Sequence, residues 1–186
     1  MTAIVEAVQC GEIPGSEVVV VISDKTKAEG LEKAKARGIE TVVIPRKGRT
    51  REEHDAEIIA ELKQRNVELV CLAGYMRLLS SDFVRAFPNK VINIHPSLLP
   101  SFPGLDAQKQ AIEYGVKISG CTVHFVDERL DHGAIILQKV VEVAESDTEQ
   151  SLSAKILQHE HALYVEALKL IALGKIEISG RRTVSN

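Results

Sequence analysis

The sequence predicts an α/β fold with a Rossmann-like, mostly parallel sheet that is flanked by helices. The first observation is Val18–Ser23 (VVVVIS), a continuous β-branched run typical of a strand buried on both faces. The second is the alternation of short apolar runs with longer helical patterns through the first half of the chain. The third is length, because 186 residues suffice for one domain with a full core.

The first half of the chain is predicted to supply strands joined by helices, which pair in parallel through right-handed crossovers. Thr50 and Glu53 have the spacing of a capping box at a helix start, and Ser23-Asp24 is a candidate N-cap. The predicted helices cover Met1–Cys10, Lys25–Arg37 and Arg51–Arg65, and the predicted strands cover Val18–Ser23, Glu40–Pro45 and Val67–Ala73.

The second half is predicted to end in a mixed sheet edge, because two strands follow one another with only a loop between them. Gly115 and Gly174 are typical helix stops, and Asp147-Thr148 is a candidate cap for the last helix. The predicted helices cover a short segment from Ser80, Asp106–Tyr114 and Glu149–Leu173. The predicted strands cover Val91–Ile94, Cys121–Val126 and Ile135–Val143, with a polar tail after Ile178.

The composition is that of a soluble globular protein, with 45% hydrophobic and 26% charged residues. The net charge of −3 argues against a nucleic-acid partner, and 4% aromatic residues without Trp argue against a base-stacking platform. No apolar run reaches membrane-spanning length, and the N-terminus lacks a signal-peptide pattern. We therefore expect no membrane and a cytoplasmic location.

The cysteines give no sign of a metal site. Cys10, Cys71 and Cys121 are far apart and form no CxxC pair, so neither a zinc site nor a disulfide framework is expected. There is also no GxSxG elbow, and no cysteine lies in an electropositive turn. A covalent acyl-enzyme is therefore not supported.

Polar residues that suit acyl-group chemistry follow two of the later strands. Asn93 and His95 are two residues apart and point to one face of an extended strand end. Asp131 follows the strand Cys121–Val126, and C-terminal strand ends share one rim in a parallel sheet. An amide donor can stabilise a tetrahedral oxyanion, and an imidazole beside a carboxylate can move a proton near neutral pH. Direct acyl transfer is the simplest interpretation.

Each of these residues also has a structural interpretation. Asn93 and His95 could be an ordinary polar strand end, and Asp131 in DERLDHG could be a turn carboxylate. His124 lies within a strand and is expected to be a core or supporting histidine rather than a catalyst. His159 and His161 are two apart on a helix and do not face each other, so they predict no metal site.

Three motifs carry a resemblance to a known family. AGYMRLL at 73–79, NIHPSLLP at 93–100 and HFV at 124–126 through Leu130-Asp131 resemble the formyltransferases that use 10-formyltetrahydrofolate. The resemblance is strongest to the branch that formylates the amine of glycinamide ribonucleotide (GAR) in purine biosynthesis, and it spans nearly the whole chain. It implies that residues 1–186 form one catalytic domain with these two small-molecule substrates.

The resemblance also implies residue roles. Asn93 would steady the formyl oxyanion, His95 would handle the proton, and Asp131 would pair with His95. The loop at Met76–Leu79 and the loop around Asp127–Asp131 would line the pterin pocket of the folate. The folate set comprises Arg51, Met76, Arg77, Leu78, Leu79, Asp127 and Glu128, and the GAR set comprises Gly74, Met76 and Glu160. Within these sets, Arg51 would contact the glutamate tail and Glu160 the ribose hydroxyls.

The N-terminus departs from the family pattern. The family begins with a central strand and a glycine-rich loop that holds the substrate phosphate at a helix N-terminus, whereas Met1–Cys10 corresponds to the helix after that loop. We expect unpaired edges on the two strands that would flank the missing one. We expect the family's activity from a protein that includes the strand and loop, and weakened substrate binding with low or no activity from these 186 residues alone.

Two other functions remain open at this point. A 10-formyltetrahydrofolate hydrolase would use the same Asn, His and Asp but would deliver the formyl group to water. A catalytically silent fragment that binds folate or a partner chain is the third hypothesis. The sequence does not determine the assembly state and leaves a homodimer open.

Overall fold

A computed structural model describes residues 1–185; Asn186, the last residue of the predicted domain and tail, lies outside them. The helices are α1 (Thr2–Gln9), α2 (Glu29–Lys35), α3 (Arg51–Gln64), α4 (Ser81–Ala86), α5 (Ala107–Tyr114) and α6 (Glu149–Ala172). The strands are β1 (Val20–Ser23), β2 (Glu40–Val43), β3 (Val70–Cys71), β4 (Val91–His95), β5 (Ile118–Phe125), β6 (Ile135–Glu142), β7 (Ile176–Ser179) and β8 (Arg182–Ser185).

The strands form three sheets with a clear division between parallel and antiparallel pairs. β1 pairs with β2 in parallel, and β3 pairs with β4 in parallel. β5 and β6 then extend the β3–β4 pair in antiparallel fashion, and β7 and β8 form a separate hairpin. The predicted α/β class with a mixed late edge is confirmed.

A gap separates β1 from β3. Within residues 1–185, β1 is paired only with β2 and β3 only with β4, so each leaves one edge open. A cavity of about 1080 Å³ lies between them and is lined by residues 18–25 and 65–75 among others. The expectation of two unpaired strand edges is therefore confirmed.

The open edge also corrects one prediction about β1. The run Val18–Ser23 has the composition of a strand buried on both faces, yet all four residues of β1 are only half-buried. The cavity beside β1 explains the difference, because its valine and isoleucine side chains have no neighbouring strand on that side.

The predicted N-cap at Ser23-Asp24 is wrong. The Ser23 hydroxyl accepts a hydrogen bond from the backbone of Lys25 at 3.1 Å and forms a local turn, and α2 begins only at Glu29. The capping box of Thr50 and Glu53 at the start of α3 is confirmed. The hairpin of β7 and β8 was not predicted.

The core lies on both faces of β4. Ile92 belongs to one cluster with α6, β5 and β6, whereas Val91 belongs to a second cluster with α3 and α4. Both residues are completely inaccessible to solvent. The C-terminal end of β4, which carries Asn93 and His95, is therefore held by packing on two sides.

Candidate active site

Asn93 and His95 close β4 beside two polar residues of β5. The antiparallel register places Asn93 opposite His124 and His95 opposite Thr122. His95 and His124 are buried, and Asn93 is half-buried. The two predicted residues therefore lie side by side at a strand end that is fixed on one side by β5.

Asp131 joins this pair from the loop between β5 and β6. Its backbone takes the left-handed conformation (φ 46°), and its side chain is about one-tenth exposed. One carboxylate oxygen accepts the Gly104 amide at 2.8 Å and lies 3.4 Å from Nδ1 of His95. The other oxygen lies 3.8 Å from Nε2 of His124. The structure thus brings Asn93, His95 and Asp131 into one cluster.

The two ring nitrogens of His95 face different oxygen acceptors. Nε2 is 2.8 Å from the carbonyl oxygen of Phe102 and donates to it, while Nδ1 faces Asp131. Phe102 itself has a left-handed backbone with φ of 52°. A proton on either nitrogen of His95 therefore has an acceptor, which is the property that a proton-handling imidazole needs.

His124 orients the amide of Asn93. Nδ1 of His124 donates to the carbonyl oxygen of Phe125 at 2.8 Å, which leaves Nε2 as an acceptor 3.5 Å from Nδ2 of Asn93. Burial lowers the pKa of His124 and so favours this neutral ring. The expectation of a supporting histidine fits this position, although no sequence signal tied His124 to Asn93.

The loop after β3 presents apolar and cationic groups. Gly74 has φ of 67°, and the side chains of Met76 and Leu78 are largely exposed. Leu79 packs into the cluster of α3 and α4. Within the part of the chain that the structure describes, Nη1 of Arg77 is buried without a hydrogen-bond partner. A buried donor of this kind beside exposed apolar side chains suits a flat ligand with a polar edge.

The second predicted loop is ordered by Asp127. Its Oδ1 accepts the Arg129 amide at 2.9 Å, and its Oδ2 is 2.7 Å from Nδ1 of His132. Glu128 is exposed and lies 3.4 Å from Arg85 of α4. This ion pair connects the Asp127–Asp131 loop to the helix that follows the Met76–Leu79 loop.

Arg51 stands apart from the cluster. It is the first residue of α3, and its exposed guanidinium pairs with the neighbouring Glu52 at 3.0 Å. The contacts of the described residues do not connect Arg51 with Asn93, His95 or Asp131.

Glu160 and Tyr164 lie one turn apart on α6 and share a face of that helix. Burial raises the pKa of Glu160, which is half-buried. The Tyr164 hydroxyl shares its hydrogen between the carbonyl oxygens of Leu72 and Ile92, at 2.9 and 3.0 Å. Tyr164 therefore ties α6 to β4 and to the segment after β3. Sequence reasoning missed it, because nothing in the pattern separates it from an ordinary core residue.

Residues 1–185 contain no cluster of three or more His, Cys, Asp or Glu side chains placed to hold a metal ion. In the same residues, no helix is both long enough and apolar enough to cross a membrane. The chemistry available at the cluster is that of an amide donor, an imidazole and a carboxylate, which defines a site suited to acyl transfer.

The comparison with protein families agrees with that class of chemistry. The model of the family described as Formyl transferase matches residues 1–168. The chain therefore belongs to the formyl transferase family.

Individual proteins of known name show which members of the family the chain is similar to. The chain is 47% identical to the "Trifunctional purine biosynthetic protein adenosine-3" of Gallus gallus over 164 residues, which are 88% of this chain but 16% of that protein. It is 41% identical to the phosphoribosylglycinamide formyltransferase of Bacillus subtilis, with 83% of this chain and 80% of that protein covered. The crystal structure of glycinamide ribonucleotide transformylase 1 from Symbiobacterium toebii superposes with a TM-score of 0.96 at 49% identity, over 99% of this chain and 87% of that one.

Proposed function

We propose that this protein transfers a formyl group from 10-formyltetrahydrofolate to the amine of GAR, with residues 1–186 as one catalytic domain. The observation that supports this most directly is the cluster of Asn93, His95 and Asp131. Asp131 lies 3.4 Å from His95 and 3.8 Å from His124, and His124 lies 3.5 Å from Asn93. Membership of the formyl transferase family supports formyl transfer, and relatives that are phosphoribosylglycinamide formyltransferases support GAR as the acceptor.

In the proposed mechanism the amine nitrogen attacks the formyl carbon, and the carbonyl oxygen becomes an oxyanion. Nδ2 of Asn93 donates a hydrogen bond to that oxygen, which lowers the energy of the tetrahedral intermediate. His95 receives the proton that leaves the amine and supplies one to the departing folate nitrogen as its bond to carbon breaks. Asp131 stabilises the imidazolium that forms in between. No covalent intermediate on the protein is required.

We assign the folate to the surface between the two loops that flank the cluster. The backbone of Met76–Leu79 and the exposed side chains of Met76 and Leu78 offer an apolar platform. The half-buried Arg77, whose Nη1 has no hydrogen-bond partner in the described residues, is assigned to the polar edge of the pterin. Asp127 and Glu128 line the opposite loop. Arg51 is exposed on α3 and is assigned to the anionic glutamate tail.

GAR is assigned to the side of the cluster that faces α6. Gly74 and Met76 belong to the loop after β3, and Glu160 offers a carboxylate on α6 that can accept hydrogen bonds from ribose hydroxyls. The raised pKa of Glu160 has burial as its cause, which is consistent with a carboxylate kept for a ligand.

The direct test is product analysis with purified protein, GAR and 10-formyltetrahydrofolate. We expect formylated GAR and tetrahydrofolate in equal amounts even where substrate binding is weak and turnover is slow, and His95→Asn is expected to lower the kcat of the parent about 10²- to 10⁴-fold. His161→Asn, an exposed histidine on α6, is the matched control and should retain the parent rate.

The same assay separates the alternatives. Formate release at the full rate without GAR would identify a hydrolase instead. Absence of both products, with retained binding of tetrahydrofolate, would identify a silent folate-binding form of the chain. Either result would overturn the proposed transfer reaction.

A further inference from the structure

Asp55 of α3 is a buried carboxylate that takes no part in the proposed chemistry. The residue has 0% exposure, although it lies in a helix whose opposite side is solvated. Its Oδ2 accepts the backbone amide of Ser80 at 2.6 Å, and its Oδ1 accepts the Tyr75 hydroxyl at 3.4 Å. Nδ1 of His54 lies 3.8 Å from Oδ1. Burying a carboxylate is unfavourable unless such donors satisfy it, so this arrangement is built around the charge.

The two donors stand at the two ends of one loop segment. Tyr75 precedes Met76–Leu79, and Ser80 follows it. Ser80 is also the N-cap of α4, where its side chain accepts the Phe83 amide at 3.2 Å. Asp55 therefore fixes both the entrance and the exit of the segment assigned to the folate, and it attaches the start of α4 to α3.

The charges around Tyr75 support this geometry. The pKa of Tyr75 is raised to about 12 by burial first and by the Asp55 charge second, while the Arg77 charge opposes that shift. The phenol therefore lies near both groups. Arg77 lies two residues after Tyr75 and three before Ser80, inside the segment that Asp55 holds at both ends.

We propose that Asp55 is a positioning residue for the reduced folate: it holds Tyr75–Ser80 in the conformation that presents Met76–Leu79 and Arg77 to the pterin. This inference rests on the proposed function. A loop fixed before the ligand arrives does not have to be ordered on binding, which favours affinity. Asp55 thus acts on folate binding and leaves the proton chemistry of His95 unchanged.

A purely structural role predicts a different pattern. Loss of general stability would lower the melting temperature and the active fraction, and would reduce kcat without selecting one substrate. A positioning role raises the dissociation constant of the folate and the KM for 10-formyltetrahydrofolate. It leaves the pH profile of kcat unchanged and raises the KM for GAR less than the KM for the folate, because Met76 is the one residue of the held segment that is also assigned to GAR.

The experiment uses Asp55→Asn and the milder Tyr75→Phe in the 186-residue chain. Binding of tetrahydrofolate is measured by calorimetry, and both KM values are measured by steady-state kinetics. We expect the dissociation constant to rise about tenfold in Asp55→Asn and about threefold in Tyr75→Phe, whose hydrogen bond is longer. Glu57→Gln, an exposed carboxylate on the same helix, is the matched control and should bind as the parent does.

Each outcome has one meaning. If the parent chain does not bind tetrahydrofolate, the proposed function fails and this inference fails with it. If the parent binds tetrahydrofolate and both variants bind it as tightly as the parent does, only the positioning role is overturned. The same holds if the KM for GAR rises as much as the KM for the folate. Should Asp55→Asn fail to fold, Tyr75→Phe decides the question, because the bond of Asp55 to Ser80 remains intact in that variant.

Discussion

Asn93 combines a fixed backbone with an oriented amide. Its strand is packed on both faces, and Nε2 of His124 faces Nδ2 at 3.5 Å. The second hydrogen on Nδ2 is left for a ligand. A donor that is oriented before the substrate binds requires little reorganisation when negative charge develops, which is why single donors of this kind contribute strongly to rates.

Replacement of Asn93 by Ala is therefore expected to lower kcat about 10²- to 10³-fold. The KM values should change only a few-fold, because the donor acts mainly on the transition state. Steady-state kinetics give both quantities. Gln64→Ala, an exposed amide at the end of α3, serves as the control. An unchanged kcat in Asn93→Ala would contradict the assigned role.

Glu160 should make the stability of the protein depend on pH. Burial raises its pKa in the folded state, so its favourable contribution is complete below the unfolded pKa and is lost as the pH rises through the folded value. At pH 7 the buried charge is unfavourable. We expect Glu160→Gln to melt higher than the parent at pH 7, by no more than roughly 2–4 °C, and to melt equally near pH 4.

The same variant should weaken GAR binding, because the amide cannot replace the charged acceptor. Thermal melts at the two pH values and the KM for GAR are the measurements. Glu166→Gln, an exposed glutamate on α6, is expected to change neither quantity. A melting temperature of Glu160→Gln below that of the parent at pH 7 would show that the charge is stabilising instead.

At the scale of elements, the predictions succeeded where the signal is local. The capping box at the start of α3 and the Thr148 cap at the start of α6 depend on residues close together in the sequence, and both are present. β3 is only Val70–Cys71 although an apolar run extends on both sides of it, because the length of a strand depends on a partner that its own sequence does not contain. The hairpin of β7 and β8 turns at Gly180, which has φ of 61° and lies in the segment predicted to be a polar tail.

The candidate site likewise contains residues that local sequence spacing predicts and residues that only the tertiary structure brings together. Asn93 and His95 could be paired from their spacing on one strand, since alternation is a local property. Asp131 reaches them only because its loop folds back, and the contacts of His124 and Tyr164 arise from strand register and helix packing. The sequence pattern contained the chemical groups, whereas their distances depend on tertiary structure.

Gly133 determines how the Asp131 loop folds back. A Cβ atom at this position would lie 1.9 Å from the carbonyl oxygen of Phe125, which no side chain tolerates. Gly133→Ala must therefore displace the loop and Asp131 with it. We expect kcat/KM to fall about 10²-fold, in line with small misplacements of catalytic groups, and stability to fall by about 1–3 kcal/mol.

The matched control is Gly30→Ala in α2, where the nearest atom to a new Cβ is 3.6 Å away. This variant should retain full activity and change the stability by less than about 1 kcal/mol, because Gly30 lies in the first turn of α2, where helix propensity counts less than in the interior. Chemical denaturation and steady-state kinetics on both variants make the comparison. Full activity in Gly133→Ala would mean that the loop can shift without moving Asp131.

For the whole molecule, the gap between β1 and β3 is a place where the sheet lacks strand pairing. Both strands leave backbone groups without a strand partner in residues 1–185, and the half-buried β1 side chains border the cavity between them. Asp24 affects the pKa of Tyr75, so the residues after β1 and after β3 lie at the same rim. The gap thus lies where one further parallel strand would pair with both β1 and β3.

A designed extension that places an apolar strand ahead of Met1 is therefore expected to stabilise the protein. Met1 lines the cavity, so an extension enters it directly and can pair with both open edges. We expect the melting temperature to rise by at least about 4 °C, because a few buried Val or Ile side chains contribute more than the ~1 kcal/mol that such a shift requires. A control extension of equal length with two central prolines cannot complete the ladder. Thermal melts and amide exchange of β1 and β3 are the measurements, and equal protection by both extensions would show that the gap does not accept a strand.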